Sequence, residues 1–409
     1  TAMIPKVYTD KRYGLNKEQI SNNALSIISK LQKNGYKAFL VGGCIRDSIK
    51  GENPKDFDIV TNCEPEEIRG IFRNSRIIGK RFKLVHITFA NEIVETTTFR
   101  SGRDASSESI EIDEDGKIVR DNQWGTQEED AFRRDFTINA LYYDPYSNEI
   151  SDYTTGLKDL KEKKIKFIGD PETRIQEDPI RILRAIRFAS KLKFEIDRKA
   201  HNPIKSSVLK LKHMPPARLY EEILKLFLSG HASESYRNLK AFGIMEVLFP
   251  FHGVDIDEYH EFLVKAFFDT DNRIKNNKPL NPGFLFATLM WPRVAHGSGL
   301  KERLDFQKFY RVVATTIKEQ QQICAIPRRF ISFIKDIWMN QVRFKNFGKK
   351  SIGFTQSLRF RAAYDFFLIR GAIEPELKTH INWWTEFRAS NYDKKNRLLK
   401  EKRKEMRKN

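Results

Sequence analysis

Cysteine is scarce in this sequence. Only Cys44, Cys63 and Cys324 occur among 409 residues, an odd number without paired spacing. This excludes a secreted scaffold built on disulfides, and we expect reduced thiols in a cytoplasmic protein. The histidines are scattered, so no Cys/His cluster indicates a zinc site. We also expect neither a membrane span nor a signal peptide, and we find no fixed-period repeat.

Acidic residues are outnumbered as well. The chain has 73 Lys and Arg but only 54 Asp and Glu, which gives a formal net charge of +19. Such an excess indicates a polyanionic partner, and nucleic acid is the first candidate for a cytoplasmic protein. Solubility alone is a weaker explanation for an excess of this size. The length allows two or more domains.

The stretch VGGCIRDSIKGENPKDFDI, residues 41–59, carries the first chemical motif. Gly42 and Gly43 follow an apolar run and leave a bare backbone that a triphosphate can approach closely. Asp56 and Asp58 are two residues apart in an expected strand, so their carboxylates face the same side. They would repel each other without a cation, and Mg²⁺ prefers carboxylate and phosphate oxygens. Each half alone is typical of a turn or a solvated strand edge, whereas the combination predicts a metal and nucleotide site.

A later strand adds a third carboxylate. Residues 93–100 alternate in polarity, and Arg100 closes the expected strand. Glu95 is either an outward surface group or a third acid of the metal site, and we favour the acid. The polar stretch that follows, residues 101–125, predicts a loop or a small hairpin with its turn at Asp115-Gly116.

The segment EEDAFRRDFTINALY, residues 128–142, predicts nucleotide contacts. Arg134 and Asp135 precede a helix-like run, Phe136–Leu141, in which Asn139 lies one turn after Asp135. An ordinary charged helix start is the alternative. In the functional interpretation, Asp135 accepts a hydrogen bond from a ribose hydroxyl and the arginine reaches phosphate oxygens.

A helix is predicted to start at Glu177-Asp178-Pro179. Asp178 followed by proline is a good N-cap pair, which is the structural explanation. Arg181 and Arg184 would then lie on one side of the helix, opposite an apolar stripe. In the functional interpretation, arginine donates to and Asp178 accepts from the edge of a base, so that no template strand is needed to choose the nucleotide.

Strand patterns become scarce beyond about Lys191, and the remainder is predicted to be helical. Aromatic residues interleaved with basic ones, such as Trp338, Phe344 and Trp384, are expected to be mostly core, with a minority stacking on RNA bases. The final stretch, Lys394–Lys408, predicts a frayed helix or tail that contacts phosphates.

These motifs occur in an order that resembles the class II nucleotidyltransferases, which include tRNA CCA-adding enzymes and bacterial poly(A) polymerases. The resemblance covers nearly the whole chain. Two segments are more similar to the bacterial poly(A) polymerases, IGKRF at residues 78–82 and FRAAYD at residues 360–365 with the later Trp383-Trp384 pair.

The resemblance implies an α+β fold, with a small mixed-sheet nucleotidyltransferase head flanked by helices and followed by an all-α remainder. The implied domains are the head at 1–165, a neck for base recognition at 166–230, a body at 231–350 and an RNA-binding C-terminal region at 351–409.

The implied activity is template-independent addition of AMP from ATP to RNA 3′ ends, with release of pyrophosphate. Two Mg²⁺ ions, or Mn²⁺ as a substitute, would be held by Asp56 and Asp58. The third catalytic carboxylate is left open between Glu95 and Asp135. The implied nucleotide-binding residues are Gly42, Gly43, Arg46, Arg100, Arg134, Asp135, Asn139, Asp178, Arg181 and Arg184. The implied RNA-binding residues are Lys80, Arg81, Lys394, Lys395 and Arg397.

The implied substrates are mRNA, small RNA and decay intermediates, and RNA-decay proteins are further partners of an expected monomer. Two alternatives are kept at this point. The first is a tRNA CCA-adding enzyme, which would use the same metal site. The second is a basic RNA-binding protein whose head has lost catalysis.

Overall fold

The computed structural model describes residues 4–80, 82–102, 110–112, 118–121, 123–300 and 305–409. The chain divides into two compact units. We call residues 1–177 with 194–203 the head unit, and residues 178–193 with 204–409 the helical unit.

The head unit is built on an eight-stranded mixed sheet. The strands of the unit are β1 (Lys6–Thr9), β2 (Ala38–Val41), β3 (Asp58–Thr61), β4 (Ser75–Ile78), β5 (Leu84–Thr88), β6 (Ile93–Thr98), β7 (Ile110–Ile112), β8 (Ile118–Asp121), β9 (Leu141–Asp144), β10 (Glu149–Asp152), β11 (Lys164–Ile165) and β12 (Glu195–Ile196). The order across the main sheet is β1-β10-β9-β2-β3-β6-β5-β4, with β3 parallel to β6 and the other neighbours antiparallel.

The head unit also contains helices, of which the first three in chain order pack on strands of the main sheet. The helices are α1 (Asn22–Lys33), α2 (Gly43–Ile49), α3 (Pro65–Ile71), α4 (Gln127–Arg133), α5 (Gly156–Lys161) and α6 (Pro171–Glu177). Ser21 starts α1 by accepting a hydrogen bond from the backbone of Ala24, and the apolar side chains at helical spacing pack on β2 and β3. Ala131 of α4 packs on the sheet face that carries the buried Val41 and Val60.

The rest of the chain is almost entirely helical. Its helices are α7 (Ile180–Leu192), α8 (His201–Ser207), α9 (Pro216–Phe227), α10 (Ala232–Ala241), α11 (Met245–Leu248), α12 (His260–Lys275), α13 (Pro282–Ser298), α14 (Phe306–Ile323), α15 (Arg328–Asn340), α16 (Lys350–Gln356), α17 (Phe360–Arg370), α18 (Lys378–Ala389) and α19 (Tyr392–Lys408). Near the C-terminus an aromatic core forms around the fully buried Phe344, Phe367 and Trp384. The prediction that most of these aromatics are core is therefore confirmed.

The predicted α+β fold, a mixed-sheet head followed by helices, is confirmed. The fourfold domain division stays a prediction. β7 and β8 pair antiparallel, as a hairpin requires, while its predicted turn at Asp115-Gly116 lies outside the described residues.

Two local predictions are wrong. Asp56 lies two residues before β3, because the partner strand β2 already ends at Val41, which is opposite Asp58. The helix-like run Phe136–Leu141 forms only a short 3₁₀ turn, and Leu141 already begins β9. In β9, the fully buried Tyr142 pairs with β2, and this sheet burial outweighs the helical spacing.

Candidate active site

One row of residues across the sheet defines the candidate site. Asp58 at the start of β3 is opposite Val41 on one side and Glu95 on the other. Glu95 is in turn opposite His86 of β5, and Val41 is opposite Tyr142 of β9. Residues opposite each other in neighbouring strands have side chains on the same face. Asp58, Glu95 and His86 therefore share one face of the sheet.

The environment of Asp58 opposes its negative charge. Burial, followed by the negative charge of Glu95 and then of Asp56, raises the pKa of Asp58 to about 6, while Arg134 acts in the opposite direction. Asp58 nevertheless keeps solvent-accessible surface, so surrounding protein atoms displace only part of its water. A carboxylate in this setting gains more from binding a cation than an isolated carboxylate does.

The residue types here fit a divalent cation such as Mg²⁺. Asp56, Asp58 and Glu95 offer only oxygen donors, which hard cations prefer. Burial first, and then the negative charges of Glu95 and Asp56, raise the pKa of Asp58, and a bound cation would favour its ionised form. Across the part of the chain that the structure describes, no three His, Cys, Asp or Glu side chains already form a metal-binding group. The inference of a metal site therefore rests on the oxygen donors of these three residues and not on a preformed coordination cage.

The Gly-Gly turn brings two predicted nucleotide-binding residues together. Gly42 has a φ of +80°, a conformation that favours glycine. A Cβ on Gly43 would lie 3.3 Å from the guanidinium of Arg46. The buried Arg46 donates from Nη1 to Asn139 Oδ1 at 2.7 Å and from Nε to Asp47 Oδ1 at 2.9 Å. Asp47, which sequence reasoning did not single out, therefore helps to fix the orientation of Arg46.

Sequence reasoning also missed Asp130, the anchor of the α4 arginines. Its fully buried carboxylate accepts from Arg133 Nε at 3.0 Å, Arg134 Nη2 at 3.0 Å, Tyr142 Oη at 2.6 Å and the backbone N–H of Arg100 at 3.1 Å. Burial alone would raise its pKa, but Arg134 and Arg133 lower it. Its helical spacing, three and four residues before the arginines, is the signal that could have found it.

Arg100 has the environment of an anion-binding residue. Burial and then the neighbouring Arg133 lower its pKa. Its Nε is buried and has no hydrogen-bond partner among the described residues, and its guanidinium lies 4.6 Å from the ring of Phe82. An arginine with a buried unpaired donor is suited to phosphate oxygens. Asp135, which directly follows Arg134 in the chain, accepts from the backbone N–H of Phe136 at 2.8 Å.

In the helical unit, α7 has the two-sided character that its sequence predicts. Arg181 and Arg184 are on its partly exposed side, opposite a buried apolar stripe. The predicted N-cap is wrong by one residue, because Pro179 and not Asp178 caps α7. Asp178 only accepts weakly from the backbone N–H of Ile180 at 3.3 Å. Its carboxylate also forms a two-pronged ion pair with Arg218, with distances of 3.0 and 2.5 Å. Sequence reasoning missed Arg218, which is distant in the chain.

Three segments match known family models. Residues 38–166 match the poly A polymerase head domain, residues 193–254 match a probable RNA- and SrmB-binding site of polymerase A, and residues 303–409 match the polymerase A arginine-rich C-terminus. The chain is 39% identical to poly(A) polymerase I of Salmonella typhi over 398 residues, covering 93% of this chain and 85% of that protein. The chain belongs to the bacterial poly(A) polymerase family. Poly(A) polymerase I of Haemophilus influenzae is 38% identical, with 95% and 89% of the two chains covered.

Solved structures share the fold of this chain. A CCA-adding enzyme in an apo form matches with a TM-score of 0.67 and 18% identity, covering 96% of this chain and 89% of that one. Identity this low shows a shared fold alone. The predicted family and the predicted enzyme class, polynucleotide adenylyltransferase, are confirmed by the poly(A) polymerase relatives. No helix among the described residues is long and apolar enough to cross a membrane.

The predicted RNA-binding residues fall in two places in this poly(A) polymerase family member. Lys80 is exposed in the turn after β4. The turn needs Gly79, because its φ is +101° and a Cβ there would lie 2.3 Å from the backbone oxygen of Phe82. Arg81 lies outside the described residues.

The C-terminal stretch was predicted to be a frayed helix or a tail. It is a continuous helix, α19, that runs to Lys408. Lys395 is buried and donates from Nζ to Thr355 Oγ1 at 3.1 Å, so packing occupies its ammonium. Lys394 pairs with Glu386 at 3.4 Å, and Arg397 is exposed. The cations gather instead along a groove of about 660 Å³ between α16 and α19, which is lined among others by Lys349, Tyr392, Lys400, Arg403, Lys404 and Arg407.

Proposed function

We propose that this chain adds AMP from ATP to the 3′ end of RNA without a template. The 3′ oxygen of RNA attacks the α-phosphorus of ATP, a new P–O bond forms, and the bond to the β-phosphate breaks. The hydroxyl loses its proton and pyrophosphate leaves. The observation that supports this most strongly is the juxtaposition of Asp58 with Glu95 on β3 and β6, on a head that matches the poly A polymerase model.

We call Asp56, Asp58 and Glu95 the acidic row. This row would hold Mg²⁺, with Asp56 and Asp58 as ligands. When bound, the metal would make the RNA hydroxyl a better nucleophile and neutralise charge on the leaving pyrophosphate. Glu95, opposite Asp58, is the favoured third carboxylate, because it already acts on the pKa of Asp58. Asp135 is assigned to the ribose.

The basic residues of the head would hold the nucleotide. Arg100 and Arg134 are assigned to phosphate oxygens, with Asp130 as the anion that keeps Arg134 in place. Arg46 and Asn139 support one another through their 2.7 Å hydrogen bond next to the Gly-Gly turn. This arrangement binds charge at fixed positions, which is the main contribution a protein makes to phosphoryl and nucleotidyl transfer.

Asp178, Arg181 and Arg184 would choose the base. Replacing Arg181 with Ala should raise the KM for ATP and reduce discrimination against CTP, with a loss of roughly 1–3 kcal/mol if one two-pronged base contact disappears. The measurement is steady-state kinetics with each nucleotide separately. Unchanged kinetics with both nucleotides would mean that Arg181 is only a partly exposed surface residue.

The decisive test uses an unstructured RNA primer, Mg²⁺ and the four nucleotides, separately and together. We expect a ladder of adenylate additions well past three residues, and little product with CTP alone. The matched control is Asp58→Ala, which should abolish extension while RNA binding in a gel shift persists. A tRNA lacking its end that gains C, C and A only, with the primer untouched, would replace this proposal with CCA addition. Extension by Asp58→Ala at the wild-type rate would remove Asp58 from the site.

A further inference from the structure

The helical unit contains another basic cavity, separate from the groove along α19. It has a volume of about 470 Å³ and lies where α13 and α14 meet the loop after α11. Five basic residues line it: His252, Arg293, His296, Lys308 and Arg311. None of the individual side chains assigned above to catalysis, nucleotide binding or RNA binding contributes to it, although Phe251, His252 and Val254 lie in the segment 193–254 that matches the probable RNA- and SrmB-binding site.

The charges around this cavity are not balanced. Glu319 pairs with two of these basic residues, and it accepts from Arg293 Nη1 at 2.7 Å and from His252 Nε2 at 2.6 Å. The hydrogen bond from Arg293 is the main reason that the pKa of Glu319 is lowered, so Glu319 stays ionised and is already matched. Lys308 and Arg311 are exposed, and neither forms an ion pair with a carboxylate in the described part of the chain. Among the described residues, these two permanent cations therefore have no carboxylate partner at the cavity.

The cavity also has an apolar wall. Phe251 and Val254 are buried and line one part, and Val312 of α14 lines another. α14 approaches α13 closely there, because Gly297 has no side chain and a Cβ would lie 3.1 Å from Val312. The volume falls within the range of roughly 300–1,000 Å³ that small-molecule sites occupy. Uncompensated cations beside an apolar wall match the two halves of a nucleotide, its phosphate and its base.

We propose that this cavity binds one nucleotide unit of the RNA substrate, an inference that rests on the proposed function. Lys308 and Arg311 contact the phosphate, and the apolar wall receives the base. Such a site anchors the RNA by a contact other than that at its 3′ end.

The test compares two charge-matched double variants. K308A/R311A removes the two exposed cations of the cavity, and R328A/K335A removes two exposed cations of α15 that do not line it. Binding of a labelled unstructured RNA is measured by fluorescence anisotropy over a range of salt concentrations, without ATP or divalent cations. K308A/R311A should flatten the slope of log K against log salt by roughly 0.7 per lost phosphate contact, or about 1.4 in all. The slope of R328A/K335A should stay near that of the wild type.

A second variant and a free-nucleotide control keep the result specific. Thr315→Glu places a negative charge in the cavity at an exposed position and should also weaken RNA binding. Equal salt slopes for the two double variants, or undiminished RNA affinity in Thr315→Glu, would overturn the inference. An altered KM for ATP with unchanged RNA binding would also overturn it, since the occupant would then be a free nucleotide. A wild-type protein that binds RNA but never extends it would instead contradict the proposed function.

Discussion

Asp130 illustrates how a residue that need not touch the substrate can shape the site. A buried carboxylate is costly unless charged donors surround it, and two guanidinium groups, a tyrosine hydroxyl and a backbone N–H surround this one. Arg134 also lowers the pKa of Asp58. Asp130 holds Arg134 in position, and it therefore acts indirectly on the pKa of Asp58.

We therefore expect Asp130→Asn to reduce kcat/KM for ATP roughly 10- to 100-fold, because a misplaced arginine loses a charge-assisted contact of about 1.5–3 kcal/mol. The measurement is steady-state kinetics, with circular dichroism to establish that the variant is folded. Tyr142→Phe is the matched control, since it removes one hydrogen bond to Asp130 and leaves both ion pairs, and its effect should be smaller. Normal kinetics in a folded Asp130→Asn variant would contradict the positioning role.

Asp58 makes a prediction about stability in the absence of metal. Its folded pKa of about 6 lies above the ordinary value of 3.8, so between these values the folded protein binds a proton that the unfolded protein does not. Stability is therefore gained as pH falls through about 6, and the charged carboxylate is a cost above that pH. Asp58→Asn should raise the Tm in EDTA at about pH 8 and leave it unchanged at about pH 4. A Tm difference independent of pH would count against this electrostatic explanation.

At the scale of the element, α19 combines packing and charge on one helix. Lys395 and Leu399 are buried against the aromatic core, and Lys402 lies 5.0 Å from the ring of Phe347. The cations of the same helix that line the groove are Lys400, Arg403, Lys404 and Arg407, and Leu399 also borders the groove. Removing the whole helix would therefore open the core as well as remove phosphate contacts, so truncation cannot isolate the contribution of charge.

Substitution can isolate that contribution. K400A/R403A/K404A should leave the fold intact and flatten the salt dependence of RNA binding by about 2 units, at roughly 0.7 per contact on single strands. The control is Lys394→Ala, because Lys394 is already paired with Glu386. Filter binding at several salt concentrations measures both variants. A triple variant whose slope equals that of Lys394→Ala would show that the groove does not contact RNA.

For the whole molecule, the charge of +19 coexists with an acidic row that needs a cation. The proposed RNA contacts rest largely on cations of the helical unit, whereas the proposed metal ligands are in the head unit. Chemistry and RNA affinity should accordingly respond to different treatments.

Metal removal tests this separation. EDTA should reduce AMP incorporation to background and change RNA affinity by less than about twofold, because released counterions and not the metal determine that affinity. Adding back Mg²⁺ or Mn²⁺ should restore incorporation, which is the control for irreversible damage. Loss of RNA binding together with activity would indicate that the metal also organises the RNA-binding surface.

Local sequence patterns are enough to predict the motifs, their order and most element types. Apolar spacing predicted the two sides of α7, and the scarcity of strand patterns beyond Lys191 predicted the helical remainder. The glycine pair and the aspartates predicted an anionic substrate with a cation. These features are encoded within a few residues, where helix and strand periods act directly.

Which distant groups meet depends on contacts between segments far apart in the chain. The pairing of β3 with β6 put Glu95 opposite Asp58, while the end of β2 left Asp56 outside the strand. Packing made Lys395 a core residue and gave Asp178 its partner Arg218. Strand register and side-chain packing depend on contacts between segments far apart in the chain, and local spacing carries no information about those contacts.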